Sequence, residues 1–256
     1  MMMRTLKTSL TAAVLALGLA AALQAQASVV IGGTRFIYNA SDRETTVKLN
    51  NEGKSPALTQ TWIDKGDPKA TPASIDVPFS VTPPVARIDP GKAQTLRIIH
   101  TGEAMPQDKE SVFWLNVLEV PPKPTAEETD ANKLQMAFRS RVKLFFRPAG
   151  LKGRADEAPA QVVWRLVQAG QRPALEGRNP SAFHVSLSAI EVAAGGKTAR
   201  FDDGGMIGPG ETKVFPLSGE LAPGPDAKVR YQTLNDYGGA VTSEAPLDAQ
   251  ASSPAR

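Results

Sequence analysis

The sequence has 256 residues, with 29 lysines and arginines, 26 aspartates and glutamates, and no cysteine. A formal net charge of +3 is too small for the concentrated basic face that nucleic-acid binding requires, and the missing thiols exclude disulfides and cysteine-ligated metals. The two histidines, His100 and His184, each lie in a strand-like run without a second ligand beside them. The composition therefore predicts no nucleic-acid partner, no metal site and no cofactor.

The first 27 residues have the pattern of a signal peptide. Arg4 and Lys7 precede an apolar stretch at 10–23, and Ala25 and Ala27 supply the small side chains that signal peptidase selects, so that Ser28 would begin the mature chain. The apolar stretch is too short to span a bilayer comfortably, and no charged stop-transfer segment follows it. We therefore expect export without insertion into the membrane.

Beyond residue 28 the chain consists of short β-rich runs separated by Pro, Gly, Asn and Asp. Runs of this length and spacing are typical of β-sandwiches, and no long helical periodicity is present. The predicted strands are 45–49, 58–63, 94–99, 111–120, 134–146, 162–167, 183–192, 213–217 and 229–233.

A domain boundary is expected near residues 147–153. Pro148 ends a long strand, and Gly150 and Gly153 permit a bend. The sequence thus predicts an all-β protein with one sandwich at 28–148, a second at 149–245 and a disordered tail at 246–256.

Three patterns typical of enzymes are incomplete, absent or placed in an unsuitable setting. Gly195-Gly-Lys-Thr198 lacks the earlier glycine of a phosphate-binding loop, because Glu191 occupies that position, and it is predicted to be a hairpin turn. No Gly-x-Ser-x-Gly elbow occurs. Asp202 and Asp203 form a carboxylate pair, but they lie beside two glycines in a polar loop, which indicates a solvated turn. Nothing in the sequence supports catalysis.

The most informative segment is the strand that begins at residue 134. Side chains alternate along a strand, so Leu134, Met136 and Phe138 project to one face, which the apolar residues at 142–146 continue. The segment follows a polar, proline-rich loop at 121–133. It is therefore either a half-buried core strand or an exposed edge strand that pairs with another chain. Periodicity alone leaves both interpretations open.

Five short blocks, distributed over nearly the whole predicted mature chain, match one family in order and spacing. They are 33–35, 82–91, 106–116 continuing to 122, 141–148 (Arg-Val-Lys-Leu-Phe-Phe-Arg-Pro) and 235–239 (Asn-Asp-Tyr-Gly-Gly). With these blocks the chain resembles the PapD-like periplasmic chaperones of the chaperone–usher pilus pathway. The resemblance implies two immunoglobulin-like β-sandwiches in an L-shaped arrangement. Each block alone is a weak signal, but five in register are specific.

The resemblance also implies a function and its residues. Family members bind fimbrial subunits by donor-strand complementation and deliver them to an outer-membrane usher in the periplasm, without catalysing a reaction. The donor strand would correspond to Leu134, Met136 and Phe138, and Arg35 and Lys143 would bind the subunit's C-terminal carboxylate. A structural charge cluster between the domains would correspond to Glu110, Arg147 and Asp236. Whether the free protein self-associates is left open.

Two other functions remain as alternatives. A two-sandwich surface or adhesive protein would need no partner strand. A small-ligand binder would use the cleft between the domains, although three tryptophans and three tyrosines offer little aromatic lining for it.

Overall fold

The computed structural model of the chain describes residues 28–120, 136–170, 172–222 and 227–247, and the predicted signal peptide lies outside these ranges. The described residues form eighteen strands and two short 3-10 turns, Pro72–Ser74 and Ala158–Gln161. The first nine strands are β1 (Val29–Ile31), β2 (Arg35–Asn39), β3 (Thr45–Asn51), β4 (Ala57–Asp64), β5 (Phe79–Thr82), β6 (Val85–Ile88), β7 (Ala93–His100), β8 (Ser111–Val120) and β9 (Phe138–Arg147). The other nine are β10 (Val163–Ala169), β11 (Arg172–Arg178), β12 (Val185–Ala194), β13 (Lys197–Phe201), β14 (Gly205–Ile207), β15 (Thr212–Pro216), β16 (Ser218–Gly219), β17 (Lys228–Leu234) and β18 (Ala240–Pro246).

The first sandwich consists of strands β1–β9 in two sheets, with the orders β1-β3-β7-β5 and β2-β9-β8-β4-β6. Alternate residues of facing strands fill its core, in which Leu49, Leu96, Leu115 and Leu144 are fully buried. His100 packs among aromatic rings at the edge of this core, with its ring centroid 5.1 Å from that of Phe146. It is a packing residue, as the sequence suggests for a lone strand histidine.

The chain changes sheets at the start of the first sandwich. β1 pairs with β3 in one sheet, and the chain then passes through Gly32 and Gly33 to the other sheet, where β2 lies parallel to β9. This crossover brings the beginning of the chain beside the long strand that the sequence singles out.

The second sandwich consists of β10–β18, with the sheet orders β10-β11-β15 and β16-β13-β12-β17-β18, and β14 paired to β12. Its core is built around Trp164, whose ring contacts those of Phe215 and Tyr231. Gly195 and Gly196 join β12 to β13 with φ of 57° and 75°, as a two-residue hairpin with two left-handed positions requires. Two immunoglobulin-like sandwiches and the predicted hairpin are therefore confirmed.

All nine predicted strands occur, and the strands without a sequence prediction are mostly short or contain proline or glycine, as β11 does. Two details differ at the ends of the prediction. The strand predicted to start at 134 is described only from residue 136, with β9 beginning at Phe138. Pro246 and Leu247, which the prediction assigns to the tail, are part of the second sandwich, because β18 includes Pro246 and Leu247 packs against the second core. Residues 248–256 lie outside the described residues.

Candidate functional site

β9 has a free backbone edge over its first half. β8 pairs with Phe138–Phe146 on one side of it, whereas β2 pairs on the other side only with Lys143–Arg147. Residues 138–142 therefore have no strand on that side among the described residues. At about 3.3 Å per residue, five residues give an open edge roughly 17 Å long. Such an edge presents unpaired N–H and C=O groups to a further strand.

The apolar side chains along this edge are partly exposed. Met136 is 51% and Phe138 is 40% exposed, although Leu144 and Phe146, further along the same strand, are in the core. Large apolar side chains that continue a core face beyond the core are available to another protein. Leu134, the third residue predicted for this role, lies outside the described residues.

Arg35 and Lys143 meet at the point where the open edge ends. They are direct partners in the parallel register of β2 and β9, so that both side chains leave the same face of the sheet. Arg35 is only 9% exposed, and one of its amino groups donates to the Leu234 carbonyl of the second sandwich at 2.9 Å. Its Nε is buried without a hydrogen-bond partner. Neither cation forms an ion pair with a carboxylate of the described residues.

The environment of Lys143 opposes its positive charge. Burial lowers the pKa of Lys143 to about 8, and the charges of Arg35 and Lys213 act in the same direction. The main compensation is the Trp114 ring, whose centroid lies 5.6 Å from Nζ. A bound anion would relieve this unfavourable state, so the electrostatics of the pair favour an anionic ligand.

The predicted charge cluster is assembled between the sandwiches. The guanidinium of Arg147 donates to both carboxylate oxygens of Asp236, at 2.7 and 3.0 Å, and to Glu110 Oε1 at 3.0 and 2.9 Å. Burial acts to lower the pKa of Arg147, but the hydrogen bonds to Asp236 and the charge of Glu110 outweigh it and raise this pKa. Asp236 lies in the turn after β17, so the cluster joins β9 of the first sandwich to the second.

No pattern in the sequence indicates that His184 belongs to this cluster. Glu110 Oε2 accepts from the His184 backbone amide at 2.9 Å and lies 2.8 Å from its ring Nδ1. The Glu110 amide in turn donates to the Ala182 carbonyl. Glu110 is 3% exposed and is the hub of the junction. His184 could have been identified only by knowing that Glu110 is buried between Arg147 and the His184 amide. These residues come from distant segments of the chain.

Two further arginines on β9 are not the free surface cations that their solvent-facing positions suggest. Arg141 donates to both carboxylate oxygens of the buried Asp64, and Arg139 to the buried Asn116. Their guanidinium groups also lie 4.8 and 4.7 Å from the ring centroids of Trp114 and Trp62, respectively. Alternation along the strand predicts that the two arginines point away from the core. It does not predict their partners, because these come from β4 and β8.

The described residues contain no group of three or more His, Asp or Glu side chains suited to holding a metal ion. No helix in this part of the chain is long and apolar enough to cross a bilayer.

Comparison with known families identifies the chain. Residues 28–152 match the N-terminal domain of the PapD pili and flagellar-assembly chaperones, and residues 157–245 match the C-terminal domain of the PapD pili assembly chaperones. The chain therefore belongs to the PapD-like family of pilus-assembly chaperones.

Individual relatives agree with this assignment. The probable fimbrial chaperone YadV of Escherichia coli K12 is 44% identical over 223 residues, covering 86% of this chain and 90% of the relative. The chaperone protein FimB/FhaD of Bordetella pertussis is 46% identical over 231 residues, covering 87% and 89%.

The fold comparison gives the same result. The crystal structure of the YadV chaperone has a TM-score of 0.73 and 40% identity, with 86% of this chain and 99% of that chain covered. The SafB chaperone of Salmonella enterica, solved in complex with the SafA pilin, has a TM-score of 0.71 and 27% identity, with 88% and 98% covered.

Proposed function

We propose that this pilus-assembly chaperone holds an unfinished pilus subunit by adding β9 to the subunit's open sheet, with Arg35 and Lys143 binding the subunit's C-terminal carboxylate. The observation that carries the proposal is the position of this pair at the closed end of a free strand edge. A partner strand that runs along the edge would reach the two cations where β2 blocks further pairing.

The free edge would supply affinity that does not depend on the partner's sequence. Chaperone–pilin donor-strand complementation is an established case of strand addition, in which main-chain hydrogen bonds give affinity and side-chain pockets give specificity. Leu134, Met136 and Phe138 would fill the subunit's groove. Complete burial of a large apolar side chain contributes about 1.5–3 kcal/mol, and Met136 and Phe138 are still half exposed in the free protein.

The cationic pair would set the register of the added strand. A hydrogen bond to a charged group contributes about 1.5–3 kcal/mol, and a carboxylate can accept from both side chains at once. A one-residue shift of the partner would place its terminal carboxylate out of reach and turn its apolar side chains to the wrong face.

The cluster of Glu110, Arg147 and Asp236 would keep the two sandwiches in the relation that this site needs. Arg35 itself donates to the Leu234 carbonyl, two residues before Asp236. We assign the cluster a structural role, because its charges are already paired with one another.

Membership of the family supports a proposal for the cellular setting. We infer that the chain acts in the periplasm after removal of residues 1–27, with sandwiches at 28–148 and 149–245, and passes its subunits to an outer-membrane usher. The SafB complex with a pilin is the precedent for the subunit as partner. We assign no catalytic step, cofactor or metal to this function.

Lys143→Ala tests the carboxylate anchor. Loss of one charge-assisted contact should weaken subunit holding by about tenfold to a hundredfold. The unfolding midpoint should not fall, because a cation that burial disfavours is removed. Recovery of a co-expressed pilus subunit from periplasmic extracts and thermal unfolding of the free variant are the two measurements. Arg35→Ala should also reduce recovery.

Lys48→Ala is the matched control, because Lys48 is an exposed residue of β3 in the opposite sheet. It should protect subunits as the wild type does. Normal protection by Lys143→Ala would contradict the anchor, as would unfolding of that variant. A surface or adhesive protein would show no subunit recovery with any of these forms.

A further inference from the structure

A tyrosine of the second sandwich is almost completely exposed close to the proposed carboxylate site. Tyr237 lies in the turn between β17 and β18, and its side chain is 96% exposed. The turn is the block 235–239, one of the five that match the family. Asp236 of this block has a role in the charge cluster, whereas the Tyr237 ring has no hydrogen bond or ring contact within the described residues. The ring therefore contributes little to the fold.

Hydrogen bonds fix the backbone of the turn that carries this ring. Asn235 Oδ1 accepts from the amides of Tyr237, at 3.0 Å, and of Gly239, at 2.9 Å. The Asn235 amide donates to the Gly239 carbonyl, and the Gly238 amide donates to the Asn235 carbonyl, both at 2.9 Å. A fixed backbone loses little conformational entropy when a partner covers the side chain that it presents, which favours binding.

Two contacts place the turn against the start of β2. Arg35 donates to the Leu234 carbonyl at 2.9 Å, immediately before the turn. Within the turn, Gly238 is so close to Thr34 that a Cβ at this position would clash with the Thr34 hydroxyl. Tyr237 precedes Gly238, and consecutive Cα atoms are about 3.8 Å apart, so its backbone lies at most about 10 Å from that of Thr34. Thr34 is the residue directly before Arg35.

The partner strand of the proposed complex would end beside this turn. It would pair with the free edge at residues 138–142 and stop where β2 begins, at Arg35. Its last residue would thus lie next to the residues of the first sandwich that the turn contacts. Tyrosine has a large, stiff and amphipathic side chain, and aromatic residues are common anchors of interfaces. The Tyr237 ring is therefore within reach of the subunit's end.

We propose that the Tyr237 ring packs against the side chain of the subunit's last residue, so that the second sandwich selects subunits with an apolar C-terminal residue. This inference rests on the proposed function of Arg35 and Lys143 and extends it. The two cations would bind the carboxylate of any C-terminal residue, whereas Tyr237 would distinguish the side chains. If the ring instead contacts an usher or a second copy of the chaperone, its removal will not change the binding of an isolated subunit end.

The test uses fluorescent peptides of alternating valine and serine that end in phenylalanine or in serine, each made with a free C-terminal carboxylate or a carboxamide. Anisotropy follows their binding to the full mature chaperone. The wild type should prefer the carboxylate to the carboxamide and terminal phenylalanine to terminal serine. Tyr237→Ala should lower the preference for phenylalanine about three- to tenfold, because a contact between two aromatic rings is lost, and should keep the carboxylate preference. Tyr237→Phe should retain both preferences.

Ile99→Ala is the matched control. Ile99 is an exposed apolar residue of β7, in the sheet of the first sandwich that contains neither β2 nor β9. Its truncation should leave both preferences unchanged. Thermal unfolding of Tyr237→Ala should have the midpoint of the wild type, because truncation of an exposed side chain normally changes stability little. A large drop in this midpoint would assign Tyr237 to the fold and contradict the proposal.

A second readout detects the contact directly. A photoreactive benzophenone amino acid in place of Tyr237 should cross-link to a co-expressed pilus subunit, and the same group in place of Ile99 should not. A cross-link only to a second chaperone copy, or none, would overturn the role of Tyr237. An undiminished preference for phenylalanine in Tyr237→Ala, or no such preference in the wild type, would do the same while leaving the anchor intact. If the wild type shows no carboxylate preference, the Arg35–Lys143 anchor fails, and the inference with it.

Discussion

The three cations on the outward face of β9 differ in the neighbouring groups that balance their charge. Arg139 and Arg141 are held by buried polar partners and by tryptophan rings, whereas Lys143 is left with Trp114 and two repelling cations. Three cations at alternate positions of one strand are therefore not equivalent. The arginines hold the sheet together, and the lysine is available for a ligand.

The depressed pKa of Lys143 predicts how binding depends on pH. A bound carboxylate favours the protonated amine, so binding raises this pKa, and affinity should be constant below pH 8 and fall as the pH rises through about 8. A fluorescent peptide with a free C-terminal carboxylate should lose affinity over this range, and the same peptide with a C-terminal carboxamide should not. Equal pH profiles for the two peptides would contradict the assignment.

The lowered pKa of Lys143 has the opposite effect on the stability of the free protein, which should increase with pH. The pKa is lower in the folded than in the unfolded state, so the unfolded chain binds more protons between pH 8 and 10.5. The contribution of Lys143 to stability should therefore increase with pH across this window. Urea unfolding of the wild type and of Lys143→Met at pH 7 and pH 9.5 measures it, and the variant should lack this increment.

Some of these residues were predicted from the sequence and others were not. Arg35 and Lys143 were predicted through matched family blocks, although their adjacency depends on a parallel pairing that no local pattern encodes. His184 and Trp114 were missed, because each acts through neighbours from a distant strand. Single-residue roles of this kind depend on tertiary contacts, and the sequence specifies them only through the complete fold.

At the scale of elements, the two halves of β9 have different positions in the sheet. Its second half is a central strand between β2 and β8 with core residues at Leu144 and Phe146, and its first half is an edge with exposed apolar side chains. The alternation in the sequence is continuous across both halves. That is why periodicity predicted the strand and its faces but left open whether Met136 and Phe138 are core residues.

Replacing Met136 and Phe138 together by serine tests the role of the free half. A buried aromatic costs about 3–5 kcal/mol when truncated, but these side chains are 51% and 40% exposed, so the urea midpoint of the free protein should change little. Recovery of a co-expressed subunit should be lost. The free variant should also be more soluble, because an apolar edge has been removed.

Leu144→Ser is the comparison for this variant. Leu144 is fully buried on the same face of the same strand, so its replacement should unfold or severely destabilise the protein. A large drop in midpoint for the Met136 and Phe138 variant would favour the core interpretation. Intact stability with normal subunit recovery would leave donation by these side chains without support.

At the scale of the whole molecule, a small polar junction connects two separate cores. Glu110 binds Arg147 on its own sandwich and the backbone amide of His184 on the other, while Asp236 reaches Arg147 from the second sandwich. Gly238 of the second sandwich also lies close to the first, because a Cβ at this position would clash with the Thr34 hydroxyl. Hydrogen bonds between charged and polar groups thus connect the two domains at this junction.

The two acids of this junction should differ in their contribution. Removing one partner of a buried ion pair costs about 3–5 kcal/mol, and Glu110 is almost fully buried, so Glu110→Gln should approach this range. The Asp236 side chain is 36% exposed, and Asp236→Asn should cost about 1 kcal/mol or less. Urea denaturation compares them. Equal losses of unfolding free energy in the two variants would contradict the expectation that the buried acid, Glu110, contributes more than Asp236.

The parallel pairing of β2 with β9 has a consequence for the order of events during synthesis. Arg35 is synthesised early, whereas the Leu234 carbonyl to which it donates lies 199 residues later in the sequence. Contacts between such distant segments form slowly, since a long loop must close first. In a half-made chain Arg35 therefore lacks its hydrogen bond to the second sandwich. This residue, which we propose to bind the subunit's carboxylate, would reach its final position only when both sandwiches have folded.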